Sequence, residues 1–270
     1  MYSQNLRARG TIQKTVVSEI NTSHKIIWDK IVQSAQNKML FYAFDGRPGN
    51  VSIWALRGSR SPIAAIETKK VRLINRSLNK FYTSLVDEGI LDHLIIFDEM
   101  ENLVAQFSPR KDNLDPTVDL TGEFQLHDKK LYFGAVGDRI VLLIKFPIFS
   151  NGRSVGTVVY AKELESLAAV FEKDTLAKIY STSPNFVIVP ADRNIDQMLN
   201  AASEGLDGVL AVEQTVYAEN RITYKIGSEP SVIEIRKDIT KTIRDYNQIF
   251  VASLSAIAVI MATIAIIVYF

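Results

Sequence analysis

The sequence contains no cysteine. Disulfides, thiolate metal sites and cysteine nucleophiles are therefore excluded together, although the compartment is not fixed by that absence. Histidine is scarce too. His24, His93 and His127 stand far apart, and none falls in an HxxH or HExxH spacing. Neither sign of charge dominates: 31 Lys+Arg face 30 Asp+Glu, for a net charge of +1. Without a basic field, nucleic acid is excluded as a partner. GxSxG, P-loop and GxGxxG motifs are all missing. Asp112, Asp115 and Asp119 lack the spacing and the bend glycine of a calcium loop and read as a solvated loop. Asp98, Glu99 and Glu101 read as a hairpin turn rather than an acid/base pair. The chain is thus expected to carry no catalytic residue, no metal site and no cofactor.

What is present is clearest at the end of the chain. Ile249 to Phe270 reads IFVASLSAIAVIMATIAIIVYF, with no charge, proline or glycine. At about 1.5 Å per residue this helix reaches roughly 33 Å, enough for a hydrocarbon core of about 30 Å. The segment is apolar on every face, whereas a soluble helix keeps a polar stripe. Membrane lipid is therefore expected around Ile249 to Phe270. Residues 1–40 hold no comparable run, and both termini read as truncations.

Along the chain, residues from about 10 to 44 read as one amphipathic helix, with Val16, Ile20, Ile27 and Ile31 as its apolar face. A short helical stretch, 51–56, follows. A third helix begins at Ser61-Pro62 and runs to about Glu88. Strands are expected at 94–98 and 103–107 as a hairpin, then at 130–135, 139–147 and 154–161, the last pair joined at Asn151-Gly152. Residues 162–171 read as helix. Shorter strands are expected at 179–182, 185–189, 208–213, 221–226 and 231–235, with a helix near 192–203. Residues 236–246 read as a helix continuing into the apolar run. The order gives an α+β fold on an antiparallel sheet. The expected divisions are a long N-terminal helix (1–44), a larger unit (45–174), a smaller α/β unit (175–236) and a juxtamembrane and transmembrane helix (237–270).

Three passages carry a family resemblance. They are LVDEGILDHLIIFDEMENLV at 85–104, IKFPIFSNGRSVGTVVYAKEL at 144–164, and VIEIRKDIT at 232–240 before the apolar helix. Together they resemble the double-Cache extracytoplasmic sensor domains of bacterial transmembrane receptors. The resemblance covers roughly residues 45–248. It implies a PAS-like sheet, a membrane-distal and a membrane-proximal unit, dimerisation along the leading helix, and a position outside the bacterial cytoplasmic membrane. It further implies a small-molecule ligand and a role in signal transduction, of the chemoreceptor, sensor kinase or diguanylate cyclase type. One departure stands out. The Arg-aromatic-Tyr run and downstream Asp of amino-acid-binding members are missing at Lys130-Leu131-Tyr132-Phe133, so an amino-acid ligand is unsupported.

Five residues are candidates for ligand contact. Tyr132, Lys145 and Tyr160 are polar-tipped residues inside apolar strands, and Lys145 would pair with a ligand carboxylate if it faced a pocket. The alternatives are a solvent-facing lysine on an alternating strand and tyrosines that only pack. Arg57 and Arg60 flank the loop before the third helix and would close over an anion, or else are solvated loop charges. Ala252/Ala256 and Ala258/Ala262 are small pairs that permit close helix approach or reflect ordinary alanine usage. The competing functional reading is a membrane-anchored periplasmic domain that binds a partner protein rather than a small molecule.

Overall fold

The structure, a computed structural model, describes residues 2–45, 53–55, 61–68, 70–109, 132–136, 139–182, 187–188, 209–212, 215–226 and 229–269. The fold is α+β, with a long leading helix, an antiparallel sheet and a C-terminal apolar helix. It divides into two compact units. The first comprises residues 1–25, 190–220 and 234–270; the second comprises 26–189 and 221–233.

Helix α1, Tyr2–Leu40, ends in a π turn at Phe41–Asp45. Its buried seam is Val17, His24, Trp28, Val32, Ala35, Met39 and Ala43. Those spacings of three, four and seven form one helical face. The isoleucine stripe expected from the sequence lies beside this seam and is only half-buried.

In the larger unit, a single helical turn at Ile53–Ala55 sets Trp54 in the core. Helix α2, Pro62–Glu67, starts on Ser61, whose Oγ accepts from the Ala64 amide at 3.1 Å. It stops at Thr68, whose hydroxyl donates to the Ala64 carbonyl at 2.8 Å. Helix α3, Val71–Asp87, follows and buries Ile74, Leu78, Tyr82 and Leu85. One helix was expected across 61–88; the structure makes two. Side-chain competition for backbone groups at Thr68 is the local reason. Gly89, at φ 66°, closes α3.

Strand β1, His93–Asp98, is buried along its whole length, between β2, Leu103–Phe107, and β5, Arg153–Glu163. At the β1–β2 turn, Asp98 Oδ1 accepts from the amides of Met100 and Asn102, each at 2.9 Å. Strand β4, Arg139–Ser150, pairs with β5 and with β3, Tyr132–Val136. The β4–β5 turn places Asn151 and Gly152 at φ 49° and 79°, the primed geometry that Asn-Gly favours. Gly156 of β5 has a different constraint: an added Cβ would collide with the Phe97 carbonyl oxygen of β1. The close approach of β1 and β5 therefore depends on glycine there. Helix α4, Leu164–Thr175, follows β5, and Phe171 on it meets Trp28 edge-on at 5.8 Å. Strands β6, Lys178–Thr182, and β7, Val187–Ile188, form a short antiparallel pair. Ile226 of β9, Thr215–Ile226, pairs in parallel with Phe133. The expected helix near 192–203 lies outside the described residues.

In the smaller unit, β8, Val209–Val212, pairs with the start of β9. Val17, Ala218 and Ile239 form the core, with Ile20, Val216 and Ile243 packed on it. Strand β10, Glu229–Asp238, passes through Ile239 alone into α5, Thr240–Tyr269. Residues 236–238, expected as helix, are therefore strand. The switch is pinned on both sides of Ile239. The Ile239 amide donates to the Val216 carbonyl at 2.8 Å, and Thr240 Oγ1 accepts from the Val216 amide at 2.9 Å. Asp238 Oδ1 then caps the helix by accepting from the Thr240 amide at 2.8 Å.

Helix α5 is long and apolar enough to cross a membrane, and none of its apolar stretch is buried. Ser253, Ser255 and Thr263 each donate to the carbonyl four residues earlier, at 2.9 Å. Their hydroxyl hydrogens are thus satisfied within the helix, as an apolar solvent requires.

Candidate functional site

Side chains alternate along a strand, and directly paired residues share a face. The register of β1, β5, β4 and β3 therefore sorts the larger unit's sheet into two surfaces. One carries Ile95, Phe97, Val159, Ala161, Val141, Leu143 and Val136, a contiguous cluster of buried apolar side chains. All seven side chains are at least nine-tenths buried.

Polar groups lie at both ends of the floor. At one end, His93 precedes Ile95 on β1, Glu163 follows Ala161 on β5, and Arg139 precedes Val141 on β4. His93 Nε2 lies 3.0 Å from Glu163 Oε1. Arg139 donates to Glu163 Oε2 at 3.4 Å and to Glu165 at 2.7 Å. The Glu163 amide donates to Asp92 Oδ2 at 2.8 Å. His93 is wholly buried, and its Nδ1 has no hydrogen-bond partner among the described residues. A buried ring nitrogen without a partner carries a desolvation cost. At the other end lies Lys145, paired across the strands with Val159. Its Nζ reaches Glu101 Oε1 at 3.5 Å, and the side chain keeps about a quarter of its surface in solvent. In the backbone register, Tyr132 of β3 pairs with Leu143 of β4.

Tyr160 belongs to the opposite surface, because it pairs with Ile144 rather than with Lys145. There it is wholly buried among aromatic rings. The Trp54 indole Nε1 donates to its hydroxyl at 2.8 Å. Phe146 meets Tyr160 at 5.2 Å and Trp54 at 6.2 Å, and Phe81 meets Trp54 at 6.4 Å. Burial pushes the Tyr160 phenol above its ordinary pKa, with the Trp54 hydrogen bond pulling the other way. Lys162, two residues on, donates to the Gly89 carbonyl at 2.9 Å and lies 4.0 Å from Asp92. Desolvation lowers its pKa, and Asp92 offsets part of that. Tyr160→Phe is expected to leave the buried Trp54 N–H without an acceptor and to cost about 1–3 kcal/mol. Urea unfolding followed by tryptophan fluorescence measures this; an unchanged midpoint would mean that the indole finds another acceptor.

The structure thus sets Lys145 and Tyr160 on opposite surfaces of the sheet. Arg57 and Arg60 lie outside the described residues. His93, Glu163 and Arg139 were not singled out from the sequence. Their only sequence signal is a charged or imidazole group at each strand's end, in phase with its inward-facing aliphatics. Among the described residues, no group of three or more His, Asp or Glu side chains is placed to hold a metal ion.

Fold and surface together define a class: an α+β domain with an apolar, strand-lined floor, on a chain bearing one membrane-length helix. Among solved structures, the chain is similar to the ligand-binding domain of the Pseudomonas fluorescens chemoreceptor CtaA in complex with L-isoleucine. That likeness has a TM-score of 0.47 at 12% identity, over 87% of this chain and 97% of that one. It is also similar to the ligand-binding domain of the Pseudomonas aeruginosa amino acid chemoreceptor PctC in complex with GABA. There the TM-score is 0.44 at 12% identity, over 83% of this chain and 100% of that one. No protein-family model matches the chain, and no curated protein sequence matches it.

Proposed function

We propose that this chain is the extracytoplasmic sensing module of a bacterial transmembrane receptor, and that it binds a small molecule rather than transforming one. The observation that carries this reading is the apolar floor with polar groups at both ends. Apolar walls with a few fixed polar groups are one part of what a small-molecule site requires. In this reading Lys145 and Tyr132 contact the ligand, Tyr160 braces the sheet from behind, and Arg57 and Arg60 stand at the mouth. The larger unit is membrane-distal, the smaller one membrane-proximal, and α5 spans the cytoplasmic membrane. Two copies associate along α1. The continuous chain from β10 into α5 gives a displacement in the sheet a short route to the bilayer. A signal follows only if the ligand binds the two states unequally.

The test is a thermal-shift screen of the full chain in detergent micelles, against metabolites spanning carboxylates, amines, amino acids and nucleobases. A ligand at about a hundred times its Kd is expected to raise the melting temperature by roughly 5–10 °C. Lys145→Ala should weaken that shift for a carboxylate ligand. A library without a single stabilising compound would sink the reading.

A further inference from the structure

The first turns of α5 hold two cations that the fold does not use. Lys241 and Arg244 are exposed, and neither has an ion pair or hydrogen bond among the described residues. At about 100° per residue they lie some 60° apart, on one side of the helix. Ile243, which packs on the core of the smaller unit, faces elsewhere: about 100° from Arg244 and about 160° from Lys241. The basic pair therefore points away from the core of the smaller unit. Asp245 is exposed beside Lys241 and offsets part of its charge, so Arg244 is the less compensated of the two.

Their depth is equally specific. The exposed apolar surface of α5 starts at Ile249, and every residue from Val251 to Tyr269 is exposed. Ile249 thus marks the edge of the hydrocarbon. Five residues earlier, Arg244 stands about 7–8 Å above that edge, and Lys241 about 12 Å above it. A headgroup layer is about 5–8 Å thick on each side of the core. Arg244 lies within it, and the long stem of Lys241 lets its ammonium reach down to the same level. Tyr246, 42% exposed, sits between them and the edge, where amphipathic rings settle.

We propose that Lys241 and Arg244 form a docking face for anionic phospholipid headgroups, which fixes the depth of α5 in the bilayer. This rests on the reading of α5 as a membrane span. Arg244 supplies a planar, multi-donor fork that matches phosphate oxygens, and Lys241 adds a second positive charge beside it.

The full chain is reconstituted in phosphatidylcholine nanodiscs containing about one-third phosphatidylglycerol, and the lipids retained on extraction are quantified by mass spectrometry. Wild type is expected to retain phosphatidylglycerol above its bulk fraction, less so at high salt. Arg244→Gln should lower that preference about five-fold, and Lys241→Gln by a smaller factor. Both side chains are exposed, so the variants keep the fold, which circular dichroism checks. A double variant with the wild-type lipid ratio overturns the proposal while leaving the span intact. A chain that stays out of the nanodisc overturns the span itself, and the proposal with it.

Discussion

Replacing Arg236 by methionine is expected to destabilise the protein by roughly 3–5 kcal/mol. Arg236 is 6% exposed, inside the smaller unit. Its Nη2 donates to Glu234 Oε2 at 2.6 Å, two residues back on the same face of β10. Its Nε lies 3.3 Å from Glu219 Oε2 on β9. One guanidinium therefore serves two carboxylates that are both withdrawn from water. Methionine preserves much of the apolar stem but removes the cation, leaving two buried like charges. Either the carboxylates take up protons or the strands part, and both outcomes subtract from stability. Urea unfolding of the detergent-solubilised chain, followed by circular dichroism, gives the number. A loss below about 1 kcal/mol would show that the cluster behaves as a screened surface pair. Replacing Glu219 and Glu234 by leucine together with Arg236→Met is expected to recover part of the loss, because a buried ionic cluster holds little net advantage over apolar packing.

The second large effect is acid sensitivity set by His24. This side chain sits in the buried seam of α1, 3% exposed. Burial, and secondarily the positive charge of Lys237, hold its pKa down from 6.5 to about 4. In the unfolded chain it takes up a proton near pH 6.5; in the fold it stays neutral until about pH 4. Between those values the unfolded state binds more protons, so stability falls as pH falls. The full penalty is about 3 kcal/mol, of which about 2 kcal/mol accrues between pH 6.5 and 5, before most carboxylates titrate. Above about pH 7.5 the group contributes no slope. Unfolding midpoints across pH 7.5 to 5 should fall for the wild type and stay flatter for His24→Gln. Parallel curves for the two proteins would place the acid response elsewhere.

The sequence made the local elements readable and the faces much less so. The β1–β2 hairpin, the Asn151-Gly152 turn and the apolar run of α5 each carry their signal within a few residues. Turn chemistry and uninterrupted hydrophobicity do not depend on the rest of the fold. The faces of the sheet depend on register. Lys145 and Tyr160 look equivalent as polar tips in apolar strands, yet Lys145 pairs with Val159 and Tyr160 with Ile144, which sets them on opposite sides. His93, Glu163 and Arg139 come from three strands, and only pairing brings them together. On α1, the β-branched stripe through Ile20, Ile27 and Ile31 gave the stronger periodic signal. The buried seam runs beside it through Trp28 and Met39, because partners on other elements choose which flank of a broad apolar face is covered. The β10–α5 junction follows a related rule. Residues 236–238 suit a helix locally, but Arg236 has its ionic partners only as part of a strand.

The switch from strand to helix across Ile239 has a mechanical corollary. With both neighbouring hydrogen bonds held by Val216, α5 has no slack in which to swivel independently of β9. Inserting one residue at this point would turn everything beyond it by about 100°, carrying each lipid-facing side chain to a new heading. Ile239 thereby acts as the phase mark of the helix, converting a rigid two-residue rhythm above into a fixed angular bearing below.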